Sequence, residues 1–134
     1  AHAQQRLPLV NARRLARRAL PVRPDEPLSE AIRRAIAARA AAMVVVDADG
    51  RPAGLVNEAA VVAVPEQRRP WVDVATVARR LDPTLVLPVT LGGEDLLRAL
   101  AGHPAPEYLV VDEQGRVYGV LASSDVEREF AGRR

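Results

Sequence analysis

The sequence contains no cysteine, no lysine, only two histidines and 3% aromatic residues among its 134 positions. Without cysteine, the chain has no disulfide, no thiolate metal site and no cysteine nucleophile. One histidine, His2, lies in a terminal segment, which leaves too few ligands for a histidine metal cluster or a Ser-His-Asp triad. No window of about 18 apolar residues is free of charge, so no segment is predicted to span a membrane.

The charge is nearly balanced, with 19 basic residues, all of them arginine, against 17 acidic ones. The net charge of +2 is far below that of a nucleic-acid-binding surface, so nucleic acid is not the predicted partner. The strongest local charge feature is the basic segment at residues 13–18, Arg-Arg-Leu-Ala-Arg-Arg. It could contact nucleic acid or an anionic membrane surface, but a solvated helix face is the favoured interpretation.

An internal repeat organises the chain. Residues 46–56 align without gaps on residues 111–121, and Val, Asp, Gly, Arg and Gly recur at the same places. Residues 15–18 resemble residues 77–80 in the same way. Self-similarity on this scale indicates two copies of one structural unit.

The predicted domains are two repeats and a short linker. Their bounds are a tail or expression remnant at 1–10, repeat 1 at 11–67, the linker at 68–70, repeat 2 at 71–132 and a tail at 133–134. Each repeat is predicted to contain a helix, two strands joined by an Asp-x-x-Gly turn, and a closing helix. These elements are predicted at 29–39, 42–46, 53–56 and 58–64 in repeat 1, and at 94–101, 108–111, 117–121 and 124–131 in repeat 2.

This pattern, with both first strands ending in Val-Val-Asp, resembles a tandem pair of cystathionine-β-synthase (CBS) domains, a Bateman module. The resemblance covers residues 11–132 and implies an α/β fold. Two βαββα-type CBS repeats are expected to pack with pseudo-two-fold symmetry into one module. The sequence has no His-Glu-x-x-His or Gly-x-Ser-x-Gly motif, and we expect this chain not to be an enzyme but a regulatory module.

The resemblance also implies a ligand. CBS pairs commonly bind adenosyl nucleotides such as AMP, ATP or S-adenosylmethionine in clefts between the repeats, through a Gly-h-h-Thr/Ser-x-x-Asp signature in which h is apolar. A carboxylate at the last position can accept hydrogen bonds from both ribose hydroxyls. In repeat 1 this signature has Asn57 at the hydroxyl position and Ala60 at the carboxylate position, so no nucleotide is expected there.

The second copy retains more of the signature. Asp125 stands at the ribose position, and the candidate nucleotide-binding residues are Gly119, Ala122, Ser123, Ser124, Asp125 and the strand residue Tyr108. Ala122 replaces the hydroxyl residue, for which the two serines are candidate substitutes. Each of these residues also has a purely structural interpretation. An Asp is favoured in a first helical turn, a strand Gly permits close backbone approach, and a Tyr ring can pack in a core.

A narrower resemblance is to the C-terminal CBS pair of actinobacterial site-2 proteases, which are zinc metalloproteases that cleave within membranes. Its most specific element is the Pro-Glu-Gln-Arg-Arg-Pro-Trp segment at residues 65–71. The resemblance implies a cytoplasmic module tethered to the inner face of the membrane, with the protease domain of the same parent chain as partner. The arginines of the basic segment would then lie near that face. Trp71 is expected to pin the linker to the core.

A purely structural role remains open. CBS pairs commonly form disc-shaped dimers through their helices, so a homodimer is expected. The small residues that would allow close helix contact are Ala31, Ala35, Ala59 and Ala60. The three hypotheses are therefore an adenosyl nucleotide sensor, a dimerisation or docking module, and a nucleic-acid-binding regulator.

Overall fold

The computed structural model describes residues 10–132, which divide into two compact units. Unit 1 combines the residues up to Arg17 with those from Asp82 onward, and unit 2 is Arg18–Leu81. The predicted tails, and His2 with them, lie outside the described residues except for Val10. Val10 is fully buried, and its carbonyl accepts a hydrogen bond from Gly93 N at 2.9 Å, so it packs in unit 1.

The helices and strands closely follow the predicted order. The helices are α1 (Ala12–Leu15), α2 (Leu28–Ala38), α3 (Glu58–Ala63), α4 (Gly93–Gly102) and α5 (Ser123–Ala131). The strands are β1 (Ala19–Val22), β2 (Ala42–Val46), β3 (Pro52–Val56), β4 (Ala78–Arg80), β5 (Val86–Pro88), β6 (Glu107–Val111) and β7 (Val117–Ala122). Short 3₁₀ segments occupy Glu66–Trp71, Val74–Val77 and Pro83–Leu85.

Each unit contains one sheet. In unit 2 the order is β1-β2-β3-β4, with β1 parallel to β2 and the other pairs antiparallel. In unit 1 the order is β5-β6-β7, with β5 parallel to β6 and β6 antiparallel to β7. The α/β fold class and the two similar repeats, each with a hairpin followed by a helix, are thus confirmed.

Helical periodicity identified the buried faces of the longer helices. Leu28 and Ala31 of α2 are fully buried in the core of unit 2, as is Leu96 of α4 in the core of unit 1. The spacing predicts Ala31, Ile32, Ala35 and Ile36 on the first buried face and Leu96, Leu97 and Leu100 on the second, whereas Leu28 precedes the predicted helix. The prediction was wrong for Ile36, which is 72% exposed, and for Leu97, which is 39% exposed. Because successive residues differ by about 100° around a helix, Ile36 lies to one side of the inward direction that Leu28 and Ala31 define.

The two hairpin turns are built identically. The Asp47 carboxylate accepts hydrogen bonds from Asp49 N and Arg51 N at 2.9 and 3.0 Å, and the Asp112 carboxylate does the same in the second hairpin. The glycine three residues after each Asp has a φ of about 80°, which residues with a side chain rarely adopt. The repeated Asp-x-x-Gly motif therefore has a structural explanation in both copies.

The compact units do not coincide with the sequence repeats, because the first segment of each repeat packs in the unit of the other. Residues 11–17 belong to unit 1, where Arg17 forms an antiparallel bridge with Val120 of β7. The corresponding β4 belongs to unit 2, where Arg79 pairs with Leu55 of β3. These two stretches, residues 11–17 and β4, are the lead-in segments of repeats 1 and 2. Each lead-in segment pairs with the last strand of the other repeat's hairpin.

The repeated glycine of each hairpin allows this pairing. A Cβ atom on Gly119 would lie 2.5 Å from the carbonyl oxygen of Arg17 and 3.1 Å from the Ala16 Cβ. A Cβ atom on Gly54 would lie 2.6 Å from the carbonyl oxygen of Arg79. These distances are too short for any side chain, so both glycines are required for close strand approach.

Substituting Gly119 by alanine should therefore lower the free energy of unfolding by about 1–3 kcal/mol, since either the strand or residues 16–17 must shift. Urea titration followed by circular dichroism measures this change. The control is Gly102→Ala at the end of α4, where the added methyl has open space around it and no loss is expected. Equal stability of Gly119→Ala and the wild type would contradict the close approach.

Candidate functional site

The candidate site centres on Asp125, the third residue of α5. This helix begins where β7 ends, and the Asp125 side chain is only 12% exposed. Its Oδ2 accepts a hydrogen bond from Arg17 Nε at 2.7 Å, and its Oδ1 accepts one from Arg17 Nη2 at 2.8 Å. Arg128 Nη1, one helical turn further on, lies 3.5 Å from Oδ1. The carboxylate thus presents both oxygens to a planar pair of donors.

This arrangement keeps Asp125 ionised. The hydrogen bonds from Arg17 lower the pKa of the Asp125 carboxyl, and the charges of Arg17 and Arg128 act in the same direction, whereas shielding from solvent opposes them. The pKa of Arg17 is raised in turn, chiefly by its hydrogen bonds to Asp125. Both shifts favour the charged pair.

Arg17 reaches Asp125 because its backbone is held against β7. Arg17 N donates to Val120 O at 2.7 Å, and Val120 N donates to Arg17 O at 2.9 Å. The guanidinium itself is 57% exposed. Arg17 and Asp125 are 108 residues apart in sequence. No local sequence motif includes both residues. The similarity of residues 15–18 to residues 77–80 indicated only that this segment belongs to the repeated unit.

All four arginines of the basic segment are exposed, as expected for a solvated face, but only Arg13 and Arg14 lie on a helix. Helix α1 ends at Leu15, and three of the four arginines contact acceptors within their own units. Arg13 Nη2 lies 2.7 Å from Glu113 Oε1, with its guanidinium 5.3 Å from the centre of the Tyr118 ring. Arg18 Nη1 donates to the carbonyl of Ala38 at 2.7 Å. These contacts reduce the charge that the segment offers to nucleic acid or anionic lipid.

The structure places Tyr108 in the core of unit 1 and not at an open surface. Its side chain is part of a buried cluster, and the residue is 1% exposed. The hydroxyl accepts a hydrogen bond from Ala105 N at 2.9 Å and donates to the carbonyl of His103 at 2.7 Å. Tyr108 nevertheless lines the mainly apolar groove between α4 and α5, together with Ser123, and its hydroxyl ties the loop before β6 to the core.

The serines at the start of α5 differ in their contacts. Ser123 donates to the carbonyl of Pro106 through both its backbone N, at 2.9 Å, and its Oγ, at 3.3 Å. Ser124 is exposed, and Ala122 stands at the N-cap without a side-chain hydrogen bond to the helix. Of the predicted residues, Asp125 alone combines shielding with two aligned acceptor atoms.

The corresponding position of repeat 1 has no carboxylate. The Asn57 side chain caps α3, with its Oδ1 accepting from Ala59 N at 3.0 Å and from Ala60 N at 3.4 Å. Ala60 packs against the core of unit 2. The residues of this copy therefore serve the helix and the core.

The linker is held by Arg69 and not by Trp71. Arg69 Nε donates to Val64 O at 3.1 Å, and Nη2 donates to Val61 O at 3.4 Å, so Arg69 caps the end of α3. Trp71 is 83% exposed, which contradicts the expectation that it packs on the core.

Two grooves lie on unit 1, and neither has Asp125 in its lining. One, of about 790 Å³, lies beside the start of α4 and is lined by Asn11, Arg13, Thr90, Gly92 and neighbouring residues. The other, of about 590 Å³, is mainly apolar and runs between α4 and α5. Within residues 10–132 no cluster of three or more His, Asp or Glu side chains could hold a metal ion. No helix in the same range is long and apolar enough to cross a membrane.

Comparison with known proteins identifies the fold. Residues 6–66 match the family model of the CBS domain. No curated protein matches the chain significantly in sequence. Solved structures show that the whole chain has the fold of a tandem CBS pair, in agreement with the two repeats and their sheets.

Three solved structures illustrate this similarity. The CBS domain of the bacterial CNNM/CorC family Mg²⁺ transporter in complex with ATP is 18% identical, with a TM-score of 0.68 over 98% of this chain and 94% of that one. The cytosolic domain of the Mg²⁺ channel MgtE in complex with ATP is 22% identical, with a TM-score of 0.67 over 95% of this chain and 51% of that one. An uncharacterised conserved protein from Pyrococcus horikoshii is 23% identical, with a TM-score of 0.63 over 93% of both chains.

The ion pair predicts how stability depends on pH. Because the pKa of Asp125 is lower in the folded chain than its ordinary value of about 3.9, the pair stabilises the fold above that pH. This contribution is lost as the pH falls through the folded pKa. The difference in unfolding free energy between the wild type and Asp125→Asn should therefore be constant from about pH 8 to 5 and shrink below about pH 4.

Asp95→Asn is the matched control for this measurement. Asp95 is also the third residue of its helix, α4, but its side chain is 71% exposed and lies 3.5 Å from Arg98. We expect a much smaller difference from the wild type at neutral pH. A difference for Asp125→Asn that stays unchanged down to pH 3 would contradict the assignment.

Proposed function

We propose that this chain is a regulatory CBS-pair module that binds an adenosyl nucleotide through its second repeat. The single observation that carries the proposal is the Asp125 carboxylate, which is shielded, ionised and placed at the ribose position of the family signature. No catalytic role is assigned to this chain. The candidate ligands are AMP, ATP and S-adenosylmethionine.

The geometry of the ion pair supports recognition of a ribose. Vicinal hydroxyls and the Nε–Nη2 edge of a guanidinium both offer two neighbouring donors to a carboxylate. Asp125 already accepts from two such donors, one on each oxygen. A ribose that replaced Arg17 would therefore find both acceptor atoms suitably oriented. Two of the similar structures were solved with ATP, which is consistent with this ligand class.

Isothermal titration calorimetry with AMP, ATP and S-adenosylmethionine tests the proposal. We expect saturable binding of at least one ligand to the wild type. Asp125→Ala and the isosteric Asp125→Asn should weaken that binding by a factor of ten or more, because a ribose hydroxyl would lose its charged acceptor. The Asp95→Ala variant should bind as the wild type does. Circular dichroism establishes that each variant is folded.

Absence of binding to a folded wild-type sample would overturn the proposal. Binding that Asp125→Ala and Asp125→Asn leave unchanged would place the ligand elsewhere. In the first case the second candidate function, assembly, takes its place. In the second case nucleotide binding stands and only its assignment to Asp125 is rejected.

Assembly is favoured by exposed apolar side chains on unit 2. Ile36 of α2 and Val62 of α3 are each 72% exposed, and Trp71 is 83% exposed. Large apolar side chains at this exposure are typical of protein interaction surfaces when they cluster. The small residues predicted for a helix interface contribute less, because Ala31 is fully buried in the core of unit 2.

Sedimentation velocity tests the assembly function. A homodimer formed through α2 and α3 should dissociate when Val62 is replaced by Asp, because a charge would be placed in an apolar interface. Ala48→Asp adds the same charge in the exposed hairpin turn and should leave the dimer intact. A wild type that stays monomeric over the whole concentration range would exclude this interface.

The proposed parent protein is a membrane-embedded zinc metalloprotease of the site-2 type, with this module on the cytoplasmic side. The support is the resemblance of residues 65–71, in which Arg69 caps α3 and the exposed Trp71 is available to another domain. The proposal requires a zinc-binding His-Glu-x-x-His motif in a membrane-spanning helix of the parent chain. Sequencing the complete parent gene tests this requirement, and a parent without that motif would refute it.

A further inference from the structure

We infer that Arg17 sets the specificity of the nucleotide site. Without a ligand, its guanidinium is bound to the Asp125 carboxylate. When a ribose displaces the guanidinium, Arg17 contacts the phosphate of the same ligand. The site would then select phosphorylated ligands such as AMP and ATP over adenosine and over the cationic S-adenosylmethionine. This inference rests on the proposed function, because it describes the same carboxylate.

Competition for Asp125 follows from the contacts. Each carboxylate oxygen accepts a hydrogen bond from Arg17, at 2.7 and 2.8 Å, and only 12% of the Asp125 side chain is exposed. Arg17 takes one acceptor position on each oxygen, and because so little of the side chain is exposed, a ribose must displace the guanidinium to donate to both oxygens. Ligand binding is therefore weakened by the fraction of molecules in which the ion pair is closed.

The displaced guanidinium would stay close to the ligand. The Arg17 backbone is fixed to β7 by two hydrogen bonds with Val120, and Gly119 lets its carbonyl approach that strand. The side chain, by contrast, is 57% exposed and can rotate into solvent. Displacement thus requires only a change of side-chain rotamer, and the positive charge remains beside α5.

The charges around the pair favour an anionic ligand. Once the ribose holds Asp125, the remaining arginine near that carboxylate is Arg128, at 3.5 Å, so the displaced Arg17 adds an uncompensated positive charge. Among the described residues, Glu107 is the other carboxylate whose charge acts on Arg17, and it is exposed. A phosphate carries more charge than one carboxylate and offers several acceptor oxygens. The sulfonium of S-adenosylmethionine would instead be repelled.

Repeat 1 supplies an internal control. Arg79 stands in β4 where Arg17 stands in the first lead-in segment, and its carbonyl approaches Gly54 in the same way. The residue that corresponds to Asp125 is Ala60. Substituting Arg79 therefore removes an arginine in an equivalent backbone setting that has no ribose carboxylate beside it.

The experiment is calorimetric titration of the wild type, Arg17→Ala, Arg17→Lys and Arg79→Ala with adenosine, AMP and S-adenosylmethionine. Arg17→Ala should bind adenosine about fivefold more tightly, because the competitor is gone, and AMP about tenfold more weakly, because the phosphate partner is gone. Binding of S-adenosylmethionine should strengthen. Arg17→Lys keeps the charge without the two-pronged hydrogen bond, so it should preserve the preference for AMP. Arg79→Ala should match the wild type.

Two results would overturn the inference in different ways. If Arg17→Ala changes adenosine and AMP affinity by the same factor, Arg17 affects only the stability of the site and not its selectivity. If none of the ligands binds either the wild type or folded Arg17→Ala, the proposed nucleotide site is wrong, and so is the displacement of Arg17 from Asp125. Only the displacement of Arg17 by a ribose predicts that Arg17→Ala still binds both ligands but shifts its preference from AMP towards adenosine.

Discussion

Each lead-in segment pairs through its main chain with the last hairpin strand of the other repeat, and this pairing fixes which residues make up each unit. In unit 1 the backbone of Arg17 bonds to Val120, and in unit 2 that of Arg79 pairs with Leu55. Each pairing requires a glycine, because a Cβ atom would lie within 2.6 Å of a carbonyl oxygen. Neither unit is therefore made from one sequence repeat alone.

The pairing of the first lead-in segment with β7 also positions the Arg17 and Asp125 side chains. Holding residues 16–17 against β7 puts the Arg17 side chain next to the start of α5, where Asp125 is shielded from solvent. The helix N-terminus favours an acidic residue there in any case, but two aligned hydrogen bonds from a guanidinium add a specific partner. In the proposed nucleotide site, the pairing that completes the sheet thus also positions the guanidinium that a ligand displaces.

The two copies have diverged at one position of this arrangement. Where repeat 2 has Asp125, repeat 1 has Ala60, which packs against the core of unit 2, while Asn57 caps α3. The fold tolerates both versions because the backbone pairing involves only main-chain atoms. The carboxylate is therefore separable from the structural scaffold, and its presence in one copy agrees with the proposed single nucleotide site.

Sequence periodicity predicted the local structure well. The Asp-x-x-Gly turns, the strands beside them and the buried faces of α2 and α4 follow from short-range patterns, and the family signature singled out Asp125. Tyr108 and Trp71 were harder to place, since an aromatic ring suits a core, a pocket wall or an interface equally well. The structure buries the first and exposes the second.

Local sequence patterns were sufficient to predict the helices and strands of the two hairpin units, their duplication, and the absence of a carboxylate at Ala60 in repeat 1. These properties depend on residues that are close together in the chain or aligned between the copies. The folded structure was needed to show that each lead-in segment pairs with the other repeat and that Arg17 forms an ion pair with Asp125. The Arg17 contacts join residues more than a hundred positions apart, and the energies of both pairings depend on backbone hydrogen bonds and close packing that no local pattern records.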